Sequence, residues 1–252
     1  MEKTALIWGM NAYPSAPLQG CVNDQADAQA KLAAKGFSGT FLTDGMATDT
    51  RMRSELNTIV DNYESGDIIA IVGSCHGSYM ADTSGDEVDH RDELICPINF
   101  PAGYISDDEI RSILGRLPAN AKCYVVLDCC YSGTGTREYG PQTHKIPILG
   151  SRYMPYVGKV PKKMKDKAII VPSLNHCLFA ASADNQTSAE ILVGGVPRGA
   201  FSYYFWKAIG TYPAWTNDQV MAYCKNRLAA IGLSQVPRLE CPAGRETQLP
   251  FS

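Results

Sequence analysis

Short apolar runs alternate along the chain with stretches in which apolar residues recur at helical spacing. Three runs, at residues 4–8, 67–73 and 122–128, are mostly apolar and predict strands that are covered on both faces. Between and after these runs, the spacing predicts helices over residues 23–35, 49–63, 107–117, 200–208 and 217–229. Weaker extended segments are predicted at residues 40–42, 178–181 and 236–239.

This order of strands and helices determines the expected architecture. Strand, helix and strand in repeated order indicate right-handed crossovers, which place the strands parallel in one sheet. We expect an α/β fold with a mostly parallel central sheet of about six strands, flanked by helices on both faces. Residues 134–166 are rich in Gly, Pro and Lys and are too long for an ordinary connection, so they predict a functional or partly disordered loop.

Composition and charge narrow the class of protein. The 252 residues are 45% apolar and 19% charged, which is ordinary for a globular domain with a sizeable core. A net charge of −3 leaves no basic surplus for nucleic acid, and no apolar run approaches the ~20 residues of a membrane span. The first residues do not resemble a signal peptide, so we expect a cytoplasmic location. The nine cysteines lack disulfide or zinc-site spacing and predict buried free thiols.

Candidate catalytic residues follow the two strongest predicted strands. His76 and Gly77 come after the run at 67–73, and Cys130 comes after the run at 122–128. Because open parallel sheets place their sites beyond the carboxyl ends of the strands, the imidazole and the thiol would share one crevice. The imidazole would take the thiol proton and later protonate a leaving amine, while the N–H groups of Gly77 and Cys130 would bind the oxyanion. Taken singly, each residue could instead be a turn histidine or an inert core cysteine.

Ordered motifs over most of the chain resemble those of metacaspases and of prokaryotic caspase-like peptidases (orthocaspases), which belong to peptidase family C14. The motifs lie at residues 17–24, 74–77, 85–97, 105–109, 128–133, 180–187, 199–202 and 235–240. Two departures are Cys75, where the family usually has glycine, and Tyr131, where it usually has histidine. The resemblance implies one caspase-like domain over residues 1–252. Within it, residues 1–133 would be the large-subunit-like part with the catalytic dyad, 134–166 a processing loop, and 167–252 the small-subunit-like part.

The resemblance also implies a cysteine endopeptidase in which His76 is the base and Cys130 the nucleophile, with Cys129 pointing into the core. Asp128 lies two residues before Cys130, where a carboxylate would weaken the nucleophile by raising the thiol pKa, so it makes sense as the partner of a substrate cation. The family's acidic pocket for the residue before the cut corresponds here to Cys21, Asp24, Ser74 and Asp128. It implies peptide or protein substrates cleaved after Arg or Lys, although Asp24 could instead only cap its helix.

Three further expectations concern metal, self-cleavage and rival functions. Calcium-activated relatives bind the ion through positions that resemble Asp92, Asp107 and Asp108, although a solvated acidic loop and a helix N-terminus would use the same residues. No other cofactor is expected, and we expect a monomer. Basic residues at which the enzyme could process itself are Arg137, Lys145, Arg152, Lys159, Lys162, Lys163 and Lys165. The alternatives are a non-catalytic caspase-like scaffold or regulatory protein, and a cysteine hydrolase with another acyl specificity.

Overall fold

The computed structural model describes residues 1–81, 91–130, 146–156, 175–183 and 186–252. Within these residues the strands are β1 (Lys3–Gly9), β2 (Ser38–Thr43), β3 (Ile68–Ser74), β4 (Gly77–Ala81), β5 (Arg91–Ile95), β6 (Ile105–Ser106), β7 (Lys122–Asp128), β8 (Ile148–Ser151), β9 (Cys177–Ala180), β10 (Ala189–Val193), β11 (Val196–Gly199) and β12 (Arg238–Glu240). The helices are α1 (Cys21–Ala33), α2 (Asp49–Asp61), α3 (Asp107–Leu114), α4 (Ala200–Thr211) and α5 (Asn217–Ala230).

Six of these strands form the central sheet, in the order β12-β9-β7-β3-β1-β2. All neighbours are parallel except β12, which runs antiparallel to β9 at the edge. The central strands β3 and β7 are buried almost throughout, as their apolar sequences predict. The predicted α/β fold with a mostly parallel six-stranded sheet is therefore confirmed.

Helices cover the sheet on both faces, and the core accordingly divides into two apolar layers. On one face, α2 and α3 contribute side chains such as Leu56 and Ile113. On the other face, α1, α4 and α5 contribute side chains such as Leu32, Phe205 and Leu228. Each fully buried side chain of this size contributes about 1.5–3 kcal/mol through the hydrophobic effect. No helix in the described part of the chain is long and apolar enough to cross a bilayer.

Two small sheets, with the orders β4-β5-β6 and β11-β10-β8, are absent from the sequence expectations. Their strands have two to five residues, too few for a reliable alternation of apolar and polar positions. The first sheet starts directly after His76, and the second contains β8, which ends directly before Arg152. Both therefore lie next to the carboxyl ends of β3 and β7, where the candidate residues were predicted.

Some sequence expectations fall outside the described residues. They include Tyr131, residues 85–90 of the acidic segment at 85–97, and six of the seven basic residues proposed as self-cleavage points. The exception among those seven is Arg152.

Candidate active site

The carboxyl ends of β3 and β7 bring the predicted residues together. The two strands are parallel and in register, with Ser74 beside Asp128 as their last pair. His76 follows two residues after Ser74, and Cys130 two residues after Asp128. All four are buried. The histidine and the cysteine are far apart in sequence, but one strand-helix-strand crossover, as parallel topology requires, brings them to the same end of the sheet.

His76 is oriented by backbone and by an aromatic ring. Its Nε2 lies 2.8 Å from the Ala16 carbonyl oxygen. Because a carbonyl can only accept, Nε2 carries the proton and the neutral ring keeps its lone pair on Nδ1. The Tyr13 ring packs edge-on against the imidazole at 4.8 Å, and its hydroxyl donates to the Cys96 carbonyl at 2.6 Å. Nδ1 is buried and makes no hydrogen bond to the described residues.

The protonation states at the site follow from burial. Burial lowers the pKa of His76, although the nearby carbonyl oxygens of Ala16 and Arg152 oppose this shift. Burial raises the pKa of the Cys130 thiol, and the Ser188 N–H, which donates to Cys130 Sγ, opposes that rise. No hydrogen bond joins these two described side chains; in this state the pair is a neutral imidazole and a thiol.

A carbonyl oxygen occupies the position expected for the oxyanion. The oxygen of Arg152 accepts hydrogen bonds from the N–H groups of Gly77 at 2.8 Å and Cys130 at 3.3 Å. These are the two predicted oxyanion donors. A side chain at position 77 would collide with the Cys130 backbone, so glycine is required for this close approach.

The Arg152 side chain fills the acidic pocket. Its guanidinium lies 2.6 Å from the Asp24 carboxylate and 3.1 Å from the Asp128 carboxylate, and it donates to the Ser74 hydroxyl at 2.7 Å. The group is fully buried. Cys21, the fourth predicted pocket residue, is buried in the same region. The structure thus brings all four residues together around a cation that belongs to the chain itself.

The pocket has a third carboxylate that the sequence analysis missed. Glu190 Oε1 lies 3.2 Å from the Arg152 guanidinium and 3.9 Å from Cys21 Sγ. Its two oxygens also accept the N–H groups of Gln19 and Gly20 at 3.1 and 2.8 Å. The sequence does contain a signal for Glu190, because it is the one charged residue within the apolar strand β10. A buried acidic side chain needs a partner, so this position could have been recognised as part of a polar site.

Opposite charges in the pocket stabilise one another. Burial and the Asp128 charge raise the pKa of Asp24 to about 6, against the lowering effect of Arg152. Burial by itself would lower the pKa of Arg152. The surrounding carboxylates outweigh this effect and raise that pKa well above its usual range. Asp24 does lie in the first turn of α1, but its carboxylate contacts Ser74, Arg152 and the Gly199 N–H rather than capping that helix. The alternative that Asp24 only caps its helix therefore does not hold, and its role in substrate binding stays a prediction.

The segment before Arg152 lies as a strand against β10. Ser151 is paired with Ala189 and Gly150 with Glu190 in antiparallel register. The Arg152 N–H donates to the Ser188 carbonyl at 3.0 Å. This is how an extended peptide binds by adding a strand to a sheet edge.

The acidic residues expected to bind calcium lie on β5 and in the first turn of α3. Among the described residues, no group of three or more His, Cys, Asp or Glu side chains is placed to hold a metal ion. Asp107 and Asp108 instead form ion pairs with Arg111 of the same helix, each at 3.1 Å. Asp92 lies on β5, buried. Calcium binding by Asp92, Asp107 and Asp108 therefore stays a prediction from the sequence, and no step of the proposed reaction uses the ion.

Comparisons with known proteins identify the family of the chain. A family model described as "Metacaspase, peptidase C14 domain" matches residues 3–137, more than half of the chain. The chain belongs to the metacaspase family. This confirms the resemblance seen in the sequence and makes the protein a member of a family of cysteine-type peptidases that act on proteins.

The similarity of this metacaspase to individual proteins is distant but extensive. It is 26% identical to Metacaspase-1 of Mycosarcoma maydis, over 94% of this chain and 70% of that protein. It is also 26% identical to Metacaspase-1 of Eremothecium gossypii, over 99% of this chain and 66% of that protein. The chain thus spans about two thirds of the length of these relatives. A crystal structure of protein GSU0716 from Geobacter sulfurreducens has the same fold, with a TM-score of 0.75 and 24% identity over 100% of this chain and 99% of that one.

Proposed function

We propose that this metacaspase is an endopeptidase that hydrolyses the peptide bond after Arg or Lys, with Cys130 as the nucleophile and His76 as the base. One observation carries the proposal. Arg152 lies with its side chain among three carboxylates and its carbonyl oxygen between two N–H donors beside the thiol and the imidazole. This is the arrangement expected of a substrate residue immediately before the cleaved bond.

The proposed reaction uses only groups at this site. His76 takes the Cys130 proton, and the thiolate attacks the carbonyl carbon of the substrate residue in the pocket. The N–H groups of Gly77 and Cys130 stabilise the negative charge on the carbonyl oxygen. The carbon–nitrogen bond then breaks, and the imidazolium gives its proton to the leaving amine. Water, deprotonated by His76, attacks the thioester; this releases the new carboxylate and returns the proton to the thiol.

The expected specificity follows from charge. Arg-ending and Lys-ending fluorogenic peptides should be hydrolysed, whereas an Asp-ending peptide should not, because its carboxylate would meet three like charges. Labelling with an Arg-ending chloromethyl ketone, followed by peptide mass mapping, should modify Cys130. Turnover of the Asp-ending peptide would contradict the pocket assignment. If neither the wild type nor Arg152→Gln, which lacks the cation that fills the pocket, cuts any of these peptides or takes the label, the scaffold alternative is supported.

We propose further that the chain cleaves itself at the bond between Arg152 and Tyr153. This is the bond whose carbonyl lies in the oxyanion position, and its cleavage by the reaction above would leave a carboxylate on Arg152 and a free amine on Tyr153. Until the segment is cut or displaced, it excludes other substrates from the pocket. The other basic residues of 134–166 stay candidates from the sequence alone.

Self-cleavage can be followed by intact mass. Wild-type protein is expected to give two fragments that end at Arg152 and begin at Tyr153, and Cys130→Ala should stay whole. Arg152→Gln should remove this cut because a neutral side chain cannot pair with the three carboxylates. Lys122→Gln, which changes a basic residue at the start of β7, is the matched control and should be cut normally. Fragments from Cys130→Ala would point to a contaminating protease, and an active wild type that stays whole would contradict self-cleavage.

A further inference from the structure

Beyond Arg152, the chain continues alongside the start of β4. The Gly77 N–H donates to the Arg152 carbonyl at 2.8 Å, and the Gly77 carbonyl accepts from the Met154 N–H at 3.0 Å. Together these bonds form a parallel bridge that sets Tyr153 opposite Gly77. The residue after the proposed cut is therefore held by main-chain bonds that any peptide residue can form.

The Tyr153 side chain meets an aromatic surface. Its ring stacks on that of Tyr79, with centroids 6.0 Å apart and planes inclined by 26°. Tyr79 comes two residues after Gly77 in β4, so it lies on the same face of the strand, and Gly77 has no side chain to separate the two rings. The Arg91 guanidinium lies over the Tyr79 ring, 4.2 Å from its centroid. Burial and the neighbouring Tyr79 raise the pKa of Tyr153 to about 12.

From these contacts we infer that Tyr79 forms an aromatic subsite for the residue immediately after the cleaved bond, and that substrates with Tyr or Phe there are preferred. The inference rests on the proposed function, since it takes Arg152 as a substrate-like residue. Offset rings gain interaction energy beyond simple burial, and a small side chain would leave the Tyr79 face in contact with water. The Arg91 charge makes an acidic residue the competing candidate, which the test below includes.

The substrate test needs only the unmodified enzyme. Quenched fluorescent peptides with the sequence of residues 148–154 would carry Tyr, Phe, Ala or Glu in place of residue 153. We expect kcat/KM for the Tyr and Phe peptides to exceed that for the Ala peptide by about 3- to 10-fold. Equal values for all four peptides, or the highest value for Glu, would overturn the aromatic subsite. Failure to cut any of them, or any other Arg-ending peptide, would overturn the proposed function itself.

Substitutions of Tyr79 test whether this side chain causes the preference for an aromatic residue after the cleaved bond. In Tyr79→Ala the ratio of kcat/KM for the Tyr peptide to that for the Ala peptide should fall to about 1, whereas Tyr79→Phe should keep the wild-type ratio. Tyr212→Ala, which removes an exposed tyrosine next to the end of α4, is the matched control and should also keep it. Since both peptides are compared within one preparation, partial loss of folded enzyme cancels from the ratio. An unchanged ratio in Tyr79→Ala would remove this residue from the subsite.

Discussion

Replacement of Cys130 by alanine is expected to reduce hydrolysis of an Arg-ending peptide by on the order of 10³-fold or more. The Arg152 carbonyl oxygen accepts from the Gly77 and Cys130 N–H groups, so the thiol of Cys130 is the proposed nucleophile. His76→Ala should cause a loss of similar size because the two residues act as a unit. Steady-state rates, corrected for folded protein by circular dichroism, would measure both effects.

Cys129→Ala is the matched control for this prediction. Cys129 is buried in the core layer beside α2 and α3, where Cys75 and Cys96 also lie, so its loss should reduce stability slightly and leave most of the activity. The opposite pattern, an inactive Cys129→Ala and an active Cys130→Ala, would show that the nucleophile had been assigned to the wrong cysteine.

Asp128→Asn is expected to lower kcat/KM for Arg-ending peptides by about 30- to 5000-fold, which corresponds to the roughly 2–5 kcal/mol lost when one partner of a buried charge pair is removed. The Asp128 carboxylate lies 3.1 Å from the Arg152 guanidinium. It also accepts hydrogen bonds from the Ser202 N–H at 2.9 Å and from the Ser202 hydroxyl at 2.7 Å. An asparagine would lose the negative charge and would have one acceptor atom where the carboxylate has two. Peptide kinetics and a thermal melt would be measured together.

Asp61→Asn provides the control for Asp128→Asn. Asp61 forms an exposed ion pair with Arg116 at 3.1 Å, and such pairs contribute about 0–1 kcal/mol. Its replacement should leave both kinetics and melting nearly unchanged. A folded Asp128→Asn protein with wild-type kinetics on Arg-ending peptides would refute the role of the carboxylate in binding the substrate cation.

Three buried carboxylates around one guanidinium explain why the proposed pocket would favour a cation. Their mutual repulsion is partly balanced by hydrogen bonds from Ser74, Gly199 and Ser202. Arg152 supplies the only positive charge within ion-pair distance of these carboxylates among the described residues. A pocket from which Arg152 had been displaced would be strongly electronegative, and a substrate Arg would restore the balance.

The sequence determined the central fold and the residues at its strand ends. Strands β1, β3 and β7 and the five helices were predictable because apolar periodicity is local, and each of these elements is long enough to show it. The positions of His76 and Cys130 followed from the rule that parallel strands end at one edge of the sheet. Element ends were less well determined. For example, α3 ends at Leu114 rather than at residue 117.

Only the tertiary structure decided what fills the acidic pocket. Arg152 looked like one basic residue among seven in a polar loop, and its burial depends on carboxylates that lie 128, 24 and 38 residues away in sequence. The Ala16 carbonyl that orients His76 has no sequence signal at all, because every residue carries a carbonyl. The short strands β4, β8 and β10 likewise form through pairing rather than through their own pattern. Local sequence patterns determined the main strands and helices. Packing between residues that are distant in sequence brought the Arg152 guanidinium, the three carboxylates and the proposed catalytic atoms together.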